Sequence, residues 1–175
     1  MLGKDYDGQE CALASTLEVL GERWTLLIVR DAFFGVRRYS DWVSRLDIPR
    51  AVLSDRLRGL VATGILVKGQ DQHYELTEAG TELWPALHAL ICWGARHRRP
   101  STNSYRHAGC DTELGPGASC ATCGLVPPAR DVMVVPRAGA TGGRTDPVSV
   151  AMRAPRRLLE PIDYRAPAAS NRVAA

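Results

Sequence analysis

His107, Cys110, Cys120 and Cys123 follow one another as H-x2-C-x9-C-x2-C, with Gly124 next. Two-residue gaps let both ligands of a knuckle reach one ion, thiolates suit Zn²⁺, and a glycine after the last cysteine permits the tight turn. The spacing predicts a zinc-ribbon-like segment over 105–135 that holds one structural zinc. So short a segment, rich in Gly and Pro, has little core of its own, and bound metal would supply its folding energy. A thiol–disulfide pair at Cys120/Cys123 and an unmetallated loop are the rival readings. Catalytic redox chemistry would need a thioredoxin-like βαβ context, and the sequence has none. The other two cysteines, Cys11 and Cys92, stand apart. Cys11 precedes a helix, where the helix N-terminus favours thiolate. Cys92 lies between Ile91 and Trp93 and reads as packing.

A second kind of chemistry is concentrated between Arg37 and Arg58, where six arginines (37, 38, 45, 50, 56, 58) face only Asp41, Asp47 and Asp55. Leu53, Leu57, Leu60 and Val61 repeat at i, i+4, i+7 and i+8, which predicts a helix over 49–63 with an apolar inner face. The opposite face is then Ala51, Ser54, Asp55 and Arg58. Ser54 and Arg58 are candidates for base edges, and Arg37, Arg38, Arg50 and Lys68 for phosphates. Ser40 at the start of the preceding helix and His73 in the following loop complete the candidate DNA face. Arg56 lies beside the leucines and is expected in a structural ion pair.

The elements that must carry these residues form one mostly helical unit over 10–98. Leu13, Leu17 and Leu20 mark a first helix stopped by Gly21; Trp24, Leu27, Ile28 and Ala32 mark a second that ends near Gly35. Ser40 can N-cap a third helix with Trp42, Val43 and Leu46 inside. Ile48-Pro49 opens the fourth, with proline at the first helical position, and Gly64 closes it. Ile65–Val67 and Tyr74–Leu76 then read as two short strands around a polar loop, 68–73. Thr77 is a candidate N-cap for a last helix through Trp93, with a kink or break at Pro85. Two helices across a three-residue turn followed by a hairpin make a winged helix-turn-helix. The fold class is mainly α with a small β-hairpin.

The stretches Cys11-Ala-Leu-Ala, LEVLGERWTLLIVRDAFFGVRRYSDW, IPRAVLSDRLRGLVATGIL and YELTEAGTELWPALHALICWG cover residues 11–96 almost without a break. Together they resemble the HxlR-type transcriptional regulators, relatives of the MarR type. The resemblance implies a homodimer paired through its N- and C-terminal helices, a repressor on a pseudo-palindromic double-stranded operator. Several members of that family use a cysteine at the Cys11 position to sense thiol-reactive compounds, which implies a possible effector without naming it.

Composition narrows the alternatives. The chain has 175 residues and a net charge of +3. Residues 1–98 carry 12 Lys and Arg against 13 Asp and Glu, so DNA binding rests on the local arginine pattern and not on bulk charge. Five unevenly spread cysteines do not make a secreted disulfide framework. No apolar run approaches the ~18–20 residues of a membrane span, and Met1–Glu10 is polar. The expectation is a cytoplasmic, nucleoid-associated protein without a membrane partner. No nucleophile elbow, phosphate loop or paired carboxylates suggest an enzyme, and His88 and His97 look isolated. The rival function is a zinc-dependent protein-interaction module that binds no specific DNA. Seven of the 11 prolines lie between Pro127 and Pro167, and 136–175 reads as a disordered Pro/Ala/Arg-rich tail.

Overall fold

The computed structural model describes residues 6, 8, 10–139 and 143–164. Helix α1 spans Ala12–Leu20, α2 Thr25–Phe33, α3 Tyr39–Leu46 and α4 Arg50–Ala62. Strands β1 (Leu66–Lys68) and β2 (Tyr74–Leu76) pair antiparallel as the wing, with Val67 opposite Glu75. Two abutting helices follow, α5 (Glu78–Thr81) and α6 (Trp84–His97). The break falls where Pro85 cannot donate to the preceding turn. Thr77 caps α5 by accepting from the Gly80 N–H at 3.0 Å. The order α3–turn–α4–hairpin is a winged helix-turn-helix.

The leucine repeat of α4 does what its spacing dictates. Leu53, Leu57 and Leu60 are almost completely buried, each contributing about 1.5–3 kcal/mol of transfer free energy. They meet Ile28, Val29 and Phe33 of α2 and Trp42 of α3. Trp42 is fully buried and its indole N–H donates to the Ile28 carbonyl at 3.3 Å. Asp47, in the left-handed conformation at φ 54°, ends α3, and Gly64 (φ +71°) follows α4 as the sequence requires.

Several boundaries differ from the sequence reading by one or two residues; β1, for example, is Leu66–Lys68 and not Ile65–Val67. α3 starts at Tyr39, with Arg38 in the cap position. Ser40 therefore sits inside the first turn, where its hydroxyl donates to Asp41. Tyr39 is drawn in because its hydroxyl reaches the Arg50 carbonyl at 2.8 Å, tying the two helices together. Pro49 is the cap of α4 and not its first residue.

The larger correction concerns residues beyond 98. Strands β3 (Asn103–His107), β4 (Val132–Pro136) and β5 (Arg156–Arg157) form an antiparallel sheet in that order, and helix α7 (Pro147–Ala151) precedes β5. Tyr105, Leu114, Val132, Val148 and Leu158 are buried in the same core cluster as α2 and α4. The 105–135 segment is thus no separate unit, and 143–164 is an ordered strap where disorder was expected. Leu159 N–H donates to the Phe33 carbonyl at 2.7 Å and Ile162 N–H to that of Gly35 at 3.1 Å. Tyr164 donates its hydroxyl to Asp41 at 2.9 Å. The strap escaped notice because it holds on through backbone groups and single side chains, which leave no apolar period. Residues 165–175 of the expected tail lie outside the described residues.

Candidate nucleic-acid interface and metal centre

The outer face of α4 carries Ala51, Asp55 and Arg58, all exposed, with Arg50 at its first position. Arg58 donates to Asp55 at 3.1 Å, an i,i+3 pair in which both side chains are mostly in solvent. Such a pair is worth little and is easily exchanged for another partner. Ser54 is half-buried, its hydroxyl 3.2 Å from that of Tyr39. Lys68 leaves the wing with its ammonium 5.5 Å from the Tyr74 ring centroid. Between α4 and the wing lies a concave surface of about 570 Å³ lined by Tyr39, Ser54, Arg58, Lys68 and Tyr74. The fold therefore brings Ser54, Arg58 and Lys68 to one concavity. Tyr39 and Tyr74 were missed, since aromatic residues at element ends give no pattern.

The remaining candidate cations are engaged elsewhere. Arg37 pairs with Glu75 at 2.5 Å and donates to the Leu159 carbonyl at 3.3 Å, so it joins wing and strap. Arg38 donates from Nε to His73 Nε2 at 3.0 Å, and His73 Nδ1 faces Asp71 at 2.7 Å. This chain of contacts braces the wing on the start of α3. Arg56 pairs with Glu22 at 3.2 Å, the ion pair expected of it.

The four metal-ligating residues converge. His107 ends β3, Cys110 follows in the next turn, Cys120 is buried after a 3-10 turn at Pro116–Ala118, and Cys123 lies on the knuckle closed by Gly124. His107 Nδ1 is 3.3 Å from Cys110 Sγ and 3.4 Å from Cys123 Sγ, and Cys110 Sγ is 3.5 Å from the sulfurs of Cys120 and Cys123. All four donor atoms lie within 4.8 Å of one another. A tetrahedral zinc with bonds of about 2.0–2.3 Å spans ligand edges of about 3.5–3.8 Å, which is the scale of these separations. Gly124 takes φ +69°, the left-handed turn anticipated for it.

The electrostatics of the cluster fit a cation. Hydrogen bonding with Thr112 draws the Cys110 thiol down to about 6. Cys123 is pushed up to about 11, first by its hydrogen bond to Cys110 and then by Cys120. One thiolate at the cluster thus resists a second, and a dication removes that conflict. The donor set suits a metal ion. His88, which looked isolated, supports the cluster from below: it is buried, and its Nδ1 accepts the Ala118 N–H at 3.1 Å. Burial lowers its pKa, so the ring stays neutral and can accept. No sequence signal pairs a histidine with a backbone N–H thirty residues away.

Cys11 is exposed in the cap position of α1. The N–H groups of Ala14 and Leu13 hold its thiol below the usual range. Cys92 is half-buried, with Sγ 3.7 Å from His88 Nδ1, and burial pushes its thiol up.

A family model described as HxlR-like helix-turn-helix matches residues 19–102. The chain is 40% identical over 147 residues to the uncharacterized HTH-type transcriptional regulator Rv3095 of Mycobacterium tuberculosis, an alignment covering 79% of this chain and 92% of that one. It is 35% identical over 94 residues to the uncharacterized HTH-type transcriptional regulator YtcD of Bacillus subtilis, covering 49% of this chain and 74% of that one. Among solved structures, PA1607, described as a putative transcription factor, superposes with a TM-score of 0.55 at 30% identity, over 81% of this chain and 99% of that chain. With the α3–α4–wing unit in place, these similarities establish that the chain belongs to the HxlR-like helix-turn-helix family of transcriptional regulators.

Proposed function

We propose that the chain represses transcription as a homodimer on a pseudo-palindromic operator, with α4 of each protomer in a major groove. The observation that carries this reading is the concavity that brings Ser54, Arg58 and Lys68 together beside an otherwise exposed helix face. A helix of about 10–12 Å diameter fits the ~12 Å major groove. The dimer is supported by apolar side chains left in solvent on two helices of the 10–98 unit: Leu13 and Leu17 on α1, Leu90 and Trp93 on α6. Half-sites would lie one helical turn apart, ~34–36 Å. Footprinting on the adjacent intergenic DNA, with sedimentation at micromolar concentration, tests both claims. Arg58→Ala should weaken operator binding by about 1–3 kcal/mol and relax base preference at one position. Unchanged discrimination by that variant removes Arg58 from the readout, and a monomer removes the dimer. Absence of any operator shift would leave a zinc-dependent protein-interaction module.

The same proposal gives His107, Cys110, Cys120 and Cys123 one structural zinc and makes Cys11 the entry point of a thiol-reactive signal. Cys11 is exposed with a lowered pKa, whereas Cys92 is half-buried with a raised one. Since thiolate is the nucleophile, Cys11 should react before Cys92, and its rate should fall as pH drops through its own pKa. Wild type, Cys11→Ser and Cys92→Ser, each with the metal site intact, are treated with diamide and assayed for operator affinity. Cys92→Ser should respond as wild type does and Cys11→Ser should not. Equal loss in Cys11→Ser and wild type returns Cys11 to a structural role.

A further inference from the structure

A cavity of about 230 Å³ lies between α2–α3 and the strap, and Arg30, Arg45, Arg144 and Arg153 line it together with Asn103 and Ser149. Its construction begins with Asp31, a carboxylate with no solvent exposure. Arg30 donates to Asp31 Oδ1 from Nε at 2.9 Å and Nη2 at 2.7 Å. Arg45 holds Oδ2 from its Nε at 3.0 Å and donates from Nη1 to the buried Ser149 hydroxyl at 3.1 Å. Two guanidinium groups thus share one buried carboxylate, and Arg45 also acts on the charge of Asp146 at the rim. Arg30 is fixed further by the Phe34 ring, 6.0 Å below it. Arg45 Nε and Asp31 Oδ2 meet as charges only: among the described residues neither buried atom has a hydrogen-bond partner.

The rim repeats the imbalance. Arg144 faces Asp146 at 3.5 Å and donates to the Ser44 carbonyl at 2.9 Å. Among the described residues, Arg153 donates to the Arg144 carbonyl, a neutral acceptor, at 3.0 Å. Four arginines therefore meet two carboxylates, Asp31 and Asp146. Guanidinium forks held in place before a ligand arrives lose little entropy on binding an oxyanion, and their paired donors match carboxylate and phosphoryl oxygens. The volume is below the ~300–1,000 Å³ of drug-sized sites, so the occupant is compact.

We propose that this cavity binds a small dianion bearing carboxylate or phosphoryl oxygens, received by Arg30 and Arg45 and closed over by Arg144 and Arg153 of the strap. The site does not depend on the DNA-binding reading and is tested without DNA. Full-length protein is titrated calorimetrically with inorganic phosphate and, separately, with malonate, at ionic strength held constant with KCl. At least one anion binds; phosphate alone assigns a phosphoryl ligand, and malonate a carboxylate. Arg30→Gln leaves Arg45 as the counter-ion of Asp31, so no buried charge is stranded, and it should weaken binding about tenfold. Arg144→Ala with Arg153→Ala, on the exposed rim, should do the same and carries the test if Arg30→Gln does not fold. Arg157→Gln, a charge removed from β5 outside the cavity lining, should change nothing. No heat from either anion, or equal weakening by Arg157→Gln, overturns the proposal.

Discussion

Replacing Cys110 and Cys120 together by serine is expected to abolish metal binding at the cluster, unfold the 105–135 segment and lower the melting temperature substantially. Structural zinc in small modules contributes apparent binding free energies of about 10–16 kcal/mol at neutral pH, most of it realised as folding. Here the segment does not stand apart. Cys120 and Ala118 are buried in the shared core, and the Ala118 N–H is the partner of His88 on α6. Losing the cluster strands a neutral buried imidazole and uncovers Tyr105, which packs 5.3 Å from Trp84 and 5.1 Å from His88, ring centre to ring centre. Elemental analysis of wild type purified without added zinc should give near-stoichiometric metal, and the double variant none. Near-ultraviolet circular dichroism should report disorder at Trp84 and Tyr105 along with a lower Tm. A metal-free wild type whose Cys120 and Cys123 form a disulfide would favour the thiol reading. A double variant with an unchanged melting curve would show that the core needs no metal.

Gly35→Ala is expected to detach the strap. Gly35 sits at φ +86°, where a side chain costs about 1–2 kcal/mol by itself. A Cβ there would also lie 1.8 Å from the Glu160 carbonyl oxygen, a contact no backbone can keep. The strap cannot simply step aside, because Leu159 and Ile162 are hydrogen-bonded to Phe33 and Gly35 on either side of the clash. Gly64 supplies the comparison: it has a similar φ of +71° and nothing within 4 Å of its would-be Cβ. Gly64→Ala should therefore lose only the conformational penalty, while Gly35→Ala loses that plus the packing of Leu158. Denaturant melts and limited proteolysis separate the two outcomes. Equal destabilisation, with residues 156–164 still protected from protease in Gly35→Ala, would mean that the strap is not held where Gly35 passes it.

Legibility from sequence followed the kind of contact involved. α4 was readable because four apolar residues recur at helical spacing and Gly64 ends them, and the metal cluster because its ligand gaps are short. The wing and the break at Pro85 came from a change of period and a missing N–H. Nothing comparable marks the strap: β5 is two residues long, both arginine, and α7 five. Asp31 was equally hidden, since a buried acid looks like any other until Arg45, on another helix, is seen beside it. Of the arginines on the candidate DNA face, Arg58 kept its exposed place, whereas Arg37 proved to join wing and strap. A cation's residue type carries no information on which carboxylate or carbonyl lies within reach.

The shared core also governs how the chain reaches its native state. The contacts that seal α2 and α3 are made by residues more than a hundred positions downstream: Arg45 to Ser149, Phe33 to Leu159, Asp41 to Tyr164. Closing loops of that length is entropically costly and comes late, so high contact order slows the last stage of folding. During synthesis the helix-turn-helix leaves the ribosome long before its lid does, with the Phe33–Phe34 surface still uncovered. Such a nascent unit exposes apolar surface for the seconds needed to translate the remainder at about 5–20 residues per second. Its dependence on chaperones would then be set by the C-terminal third of the chain and not by the DNA-reading helices themselves.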